Sequence, residues 1–79
     1  MNKTITLFGA SWCPYCVQLR KILDKEGIEY KHKSVDDKAN EQEMLEASGG
    51  RYLIPTIVIG DGEKVMQNPT IAMVKEALA

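Results

Sequence analysis

"SWCPYC", Ser11–Cys16, holds both cysteines of the 79-residue chain, two residues apart, with a proline directly after the first. Upstream, "TITLF" (Thr4–Phe8) is β-branched and aromatic and predicts a strand. Downstream, Cys16, Leu19, Ile22 and Leu23 recur at helical spacing, with Gln18, Lys21 and Lys25 off that face and Gly27 as the stop. The hexapeptide therefore joins a strand, through a loop from Gly9 to Trp12, to a helix. Proline is favoured at the first helical position, where its missing N–H is not needed. That makes Pro14 the first helical residue and Cys13 the N-cap.

The same reading continues along the chain. "EYKHKSV" (Glu29–Val35) predicts a second strand, amphipathic and near an edge. "DDKANEQEMLEAS" predicts a second helix capped by Asp36 or Asp37 and ended by Gly49 and Gly50, with Glu41, Glu43 and Glu46 as a solvated face. "TIVIG" (Thr56–Gly60) reads as a short buried strand, and "GDG" turns the chain into "EKVM" as its hairpin partner. "NPT" predicts the start of a last helix with Asn68 as N-cap and Pro69 next, and Ile71, Val74 and Leu78 as its apolar stripe. The expected order is β-α-β-α-β-β-α. The first β-α-β unit predicts two adjacent parallel strands, the last two strands an antiparallel hairpin, and the three helices cover a four-stranded mixed sheet.

Length and composition narrow the function. Seventy-nine residues form one domain, 1–79. A net charge of −1 offers no basic excess to hold a phosphate backbone, so nucleic acid is not an expected partner. The apolar runs "ITLFGA" and "LIPTIVIG" are too short to cross a bilayer, and no membrane partner is expected. "MNKTITLF" lacks the long apolar segment and cleavage site of a secretory leader, which predicts a cytoplasmic protein.

In a reducing compartment the cysteine pair makes a poor staple. Linking Cys13 to Cys16 closes so short a loop that the entropic gain is about 2 kcal/mol before strain. A redox switch is the better reading. At the N-cap, the Cys13 sulfur sits where the N–H groups of Tyr15 and Cys16 point, and the helix dipole adds positive potential there. Both favour thiolate over thiol. Cys16, one turn in and on the buried face, stays a thiol. Cys13 is thus expected as the exposed nucleophile and Cys16 as the resolving thiol. A soft-metal or iron–sulfur binding module is the alternative, but the only other soft ligand is His32, in a different strand, so no metal site is expected. Soft-metal chaperones carry Met-x-Cys-x-x-Cys on another element order; the matching position here is Ser11.

"CPYC" after a first strand, followed by "RYLIPT" at 51–56, resembles the glutaredoxins of the thioredoxin superfamily over essentially the whole chain. The resemblance implies a thioredoxin-like fold and a dithiol disulfide reductase. Thioredoxins carry "CGPC" and a buried aspartate where this chain has Leu7. The resemblance also implies a cis peptide bond before Pro55, with Pro55 facing the sulfurs. It implies further that Ile54 offers its backbone, and Arg51 its cation, to glutathione or another low-molecular-weight thiol as co-substrate. No tightly bound cofactor is implied. The expected partners are disulfide-containing proteins, small-thiol mixed disulfides and a flavoprotein reductase, met by a monomer.

Two positions depart from the glutathione-using pattern. Ala10 stands where a lysine is usual, and "QNPT" (Gln67–Thr70) replaces the Gly-Gly-x-Asp stretch that grips the γ-glutamyl end. "SWC" and "NPT" resemble mycoredoxins in part, although those have Gly in place of Pro14. Asn68 and Thr70 are expected to hold a carboxylate at the last helix's N-terminus. Trp12 is read as a half-exposed flat surface for a substrate disulfide, and Tyr15 as an aromatic against the helix end that shapes the thiol pocket. Met66 and Met73 are read as core fillers, and His32 as a solvated strand residue.

Overall fold

The computed structural model describes residues 4–78. Residues 1–3, part of the stretch read for a leader, and Ala79 lie outside them. The elements are β1 (Ile5–Gly9), α1 (Pro14–Lys25), β2 (Lys31–Ser34), α2 (Lys38–Ser48), β3 (Thr56–Ile59), β4 (Lys64–Gln67) and α3 (Ile71–Leu78). The four strands form one sheet in the order β2-β1-β3-β4. β1 pairs with β2 in parallel, Thr6 opposite Lys31 and Gly9 opposite Ser34. β1 also pairs antiparallel with β3, Phe8 opposite Thr56, and β3 pairs antiparallel with β4. This is the expected mixed sheet.

Alternation along the strands builds a core on each face of the sheet. Ile5, Leu7, Ile57 and Ile59 meet Leu19 and Leu23 of α1 and Val74 of α3. Phe8 and Val58 point the other way, to Met44 of α2, and share that cluster with Val35 and both cysteines. Met44, Leu7 and Leu23 are fully buried. Ile22, at the margin of the helical face, is exposed, and so is Met73, which is not a core filler; Met66 is buried as expected.

Local chemistry sets the helix ends. Asp37 is the N-cap of α2, accepting the Ala39 N–H at 2.9 Å. Gly49 closes the helix in the left-handed conformation (φ +72°), where a Cβ is unfavourable. α3 begins later than expected, and Asn68 is not its cap. The Asn68 N–H donates to the Pro55 carbonyl at 2.6 Å, and the residue takes φ +50°. That bond ties it to the segment leading into β3, so the chain turns before the helix can start. Thr70 does the capping: its Oγ1 accepts the Met73 N–H at 3.2 Å, and its carbonyl accepts the Val74 N–H.

β2 is shorter than the expected Glu29–Val35, although the Val35 N–H still donates to the Gly9 carbonyl at 2.9 Å. His32 is not solvated as expected. It stands opposite Leu7, and its Nε2 is buried with no hydrogen-bond partner. Burial first, and the nearby Arg20 charge second, hold its pKa below the usual 6.5. The unfolded chain therefore takes up this proton at a higher pH than the folded one. Stability should be insensitive to His32 above about pH 7.5 and should fall as pH drops through 6.5 toward the depressed folded value. Urea unfolding of wild type and His32→Gln between pH 5 and 8 checks this; equal slopes in the two proteins would remove His32 from the acid response.

Candidate active site

The cysteines sit where β1 hands over to α1. Cys13 has extended backbone (φ −97°, ψ 111°) and is the N-cap of α1, with Pro14 following as the first helical residue. Its Sγ accepts the Cys16 N–H at 3.3 Å. The Cys13 N–H donates to the Ala10 carbonyl at 3.2 Å, closing the turn that brings the sulfur over the helix end. Of the two N–H groups expected to face the sulfur, Cys16's does so within hydrogen-bonding distance. Both cysteines are free thiols.

Cys13 is less open than expected of an exposed nucleophile: it is 6% exposed and Cys16 is 0%. Phe8, Ala10, Val35 and Val58 converge on the pair, and Ile54 packs against the same cluster. Apart from Ala10, these side chains come from other elements of the fold, which the local pattern around Cys13 does not announce. Burial, and then the hydrogen bond with Cys13, push the Cys16 thiol up to about 12, so it is held protonated.

Around the mouth, Trp12 is 61% exposed, and its indole Nε1 donates to Asp36 Oδ1 at 3.0 Å. Asp36, one of the two expected caps of the second helix, instead holds the indole beside Cys13. Tyr15 is 67% exposed, so it does not pack against the helix end as expected. At the second residue of α1 it projects away from the face that carries Cys16.

The Ile54–Pro55 peptide bond is cis, as the resemblance implied. Pro55 is buried and Ile54 half-buried. The loop ahead of it is closed by Ser48, whose Oγ donates to the Arg51 carbonyl at 2.7 Å and accepts the Arg51 N–H at 3.1 Å. Gln67 Nε2 donates to the same carbonyl at 3.3 Å. The 51–56 segment and the turn before α3 are thereby joined. Arg51, Asn68 and Thr70 are all exposed.

Sequence reasoning missed two residues, Asp36 and Gln67. No local signal marks Asp36 or Gln67. Among the described residues no three His, Cys, Asp or Glu side chains come together as a metal site.

Residues 5–65 match the glutaredoxin family model, and the chain belongs to the glutaredoxin family. A Mycobacterium tuberculosis protein assigned to the glutaredoxins is 29% identical over 79 residues, covering 99% of this chain and 93% of that one. A Pseudomonas aeruginosa glutaredoxin is 26% identical over 57 residues, 72% of this chain and 68% of its own. Among solved structures, a mutant form of the thioredoxin-like protein BC3987 superposes with a TM-score of 0.80 at 28% identity, over 96% of this chain and all of that one. The fold is thioredoxin-like, and the activity of the family is thiol–disulfide exchange.

Proposed function

We propose that the chain is a dithiol disulfide reductase in which Cys13 attacks and Cys16 resolves. One observation carries the reading: Cys13 Sγ caps the positive end of α1 and accepts the Cys16 N–H, while Cys16 is fully buried. A helix N-terminus stabilises negative charge on the capping sulfur. The Cys13 thiolate attacks one sulfur of a substrate disulfide. That bond breaks, and the departing thiolate takes a proton from solvent. The mixed disulfide left on Cys13 is then attacked by Cys16, which gives up its proton as the Cys13–Cys16 bond forms and the second substrate thiol leaves. Two electrons have passed from the pair to the substrate. A small thiol can instead attack the mixed disulfide from outside.

Both sulfurs come from one chain, so the chemistry requires no second copy, and the protein acts as a monomer in the cytoplasm. No helix among the described residues is long and apolar enough to cross a membrane. The substrates are protein disulfides and small-thiol mixed disulfides. Trp12 is the flat surface against which they dock. Tyr15 is the second exposed ring at the helix start, and Ile54 and Pro55 line the far wall.

Glutathione, a thiol with two carboxylates, fits two anchors. Arg51 offers a guanidinium for one carboxylate. The Asn68–Thr70 turn and the start of α3 offer polar groups for the other, although the Thr70 hydroxyl is already committed to the Met73 N–H. Ala10, where a lysine is usual, is buried against the cysteines and adds no cation. Glutathione binding should therefore be weak and salt-sensitive. Because Arg51 is exposed, Arg51→Ala should raise KM for glutathione by about two- to fivefold, with less effect at high salt.

The test is reduction of a small mixed disulfide by the full chain, with glutathione, a different low-molecular-weight thiol or a flavoprotein reductase as donor. Turnover with any donor supports the reading, and the fastest donor names the co-substrate. Glutathione turnover indifferent to salt and to Arg51→Ala would place the carboxylate elsewhere. Failure with every donor would refute the reductase assignment.

A further inference from the structure

Gly9 ends β1 without using any of glycine's conformational freedom. Its φ is not positive, it stands opposite Ser34 in the ladder, and its carbonyl accepts the Val35 N–H at 2.9 Å. A strand residue of this kind gains nothing from lacking a side chain unless another group needs the space.

Cys16 occupies that space. A Cβ built on Gly9 would lie 3.0 Å from Cys16 Sγ, 3.1 Å from Cys16 Cβ and 3.1 Å from Leu7 Cδ2. Carbon and sulfur neighbours normally stand about 3.5–4 Å apart. Leu7 and Cys16 are both fully buried, so neither can relieve the contact by turning into solvent. The tightest approach is to the sulfur itself.

We propose that Gly9 is a positioning residue for the resolving thiol: the side chain it lacks is the seat of Cys16 Sγ. The inference rests on the role of Cys16 proposed above. Seated against the β1 backbone, the reduced sulfur is held beside Cys13 but not bonded to it. In the resolving step the bond between Cys13 Sγ and the substrate sulfur breaks. Its electron pair leaves on the substrate sulfur, which is then protonated by solvent. The Cys16 proton goes to solvent as Cys16 Sγ bonds to Cys13 Sγ. On this proposal, bonding to Cys13 moves Cys16 Sγ away from Gly9. A methyl group at position 9 therefore weighs more on the reduced pair than on the oxidised one.

Gly9→Ala should then make the pair the stronger reductant. Equilibrated in dithiothreitol buffers of graded ratio, with the thiols counted by alkylation and mass, the full-length variant should shift its dithiol–disulfide equilibrium about tenfold toward the disulfide. That is about 30 mV more negative. An unchanged or more positive potential would overturn the proposal.

Thermal unfolding of reduced wild type, Gly9→Ala, Cys16→Ala and the double variant gives a second readout that does not depend on redox chemistry. Gly9→Ala should lower the midpoint in the presence of Cys16, and the loss should be smaller in the Cys16→Ala background, where the 3.0 Å approach to sulfur is gone and the Cβ contact stays. Equal losses in both backgrounds would assign the crowding to Leu7 and the Cys16 Cβ, not to the sulfur, and sink the inference. If Gly9→Ala does not fold alone but the double variant does, the contact is supported. If neither folds, it is refuted. A wild type with no dithiol–disulfide equilibrium would bring down the reductase reading, and the unfolding cycle would still decide whether Gly9 seats the sulfur.

Discussion

Cys13→Ser should reduce disulfide exchange to the level seen without protein, on every substrate and with every donor. The expected loss is chemical, because the substitution suits the fold. Position 13 is the N-cap of α1, with extended backbone and a side chain that accepts the Cys16 N–H. Serine is among the best residues for that position, and its oxygen is a stronger acceptor than sulfur. The variant should unfold at a temperature equal to or above that of the wild type. What it lacks is a sulfur nucleophile. Cys16 cannot take over, since it is fully buried and its thiol is pushed up to about 12. Measuring mixed-disulfide reduction beside thermal unfolding separates chemistry from stability. Residual exchange in a well-folded Cys13→Ser protein would make Cys16 the nucleophile and reverse the assignment.

What the sequence makes legible here is what local chemistry decides. Proline after Cys13 dictates the helix start, the helix start dictates the cap, and the period of the apolar residues puts Cys16 on the inner face. Each of those steps uses neighbours within one turn, and each appears in the structure. The readings that failed depend on distant contacts. Asn-Pro-Thr has two competing starts for a helix, and the bond from the Asn68 N–H to the Pro55 carbonyl selects the later one. His32 lies between two lysines in "KHK", which looks solvated, yet its register opposite Leu7 turns it toward the buried side of the sheet. The depth of Cys13 is set by Phe8, Val35, Val58 and Ile54, none of which its own helix announces. Tyr15 failed for another reason: at that helical angle it leaves the face that Cys16 enters. The cis bond before Pro55 came from the family pattern, because the local sequence alone favours trans.

Cys16→Ser should divide the reaction in two. The first step needs only Cys13, so the variant should still attack a substrate disulfide at close to the wild-type rate. The second step needs a sulfur at position 16, so the mixed disulfide should persist until an external thiol arrives. Mass spectrometry of the variant after reaction with a protein disulfide should show one chain joined to one substrate, absent from the wild type under the same conditions. Small-thiol adducts should still turn over when the free thiol is supplied. In the wild type the resolving step should quicken as pH rises, because desolvation, the largest cause of the raised Cys16 pKa, persists when Cys13 is capped by substrate. The contributions from the Cys13 side chain change once its sulfur is bonded, so the proton on Cys16 becomes easier to remove at the moment it must leave. Below that pKa the thiolate fraction grows about tenfold per pH unit, and the release of substrate should follow it until another step limits. Rapid quench of a preformed mixed disulfide between pH 6 and 9 reads this directly. A pH-independent release, or a Cys16→Ser variant that traps no adduct with a protein disulfide, would show that resolution always comes from outside the chain.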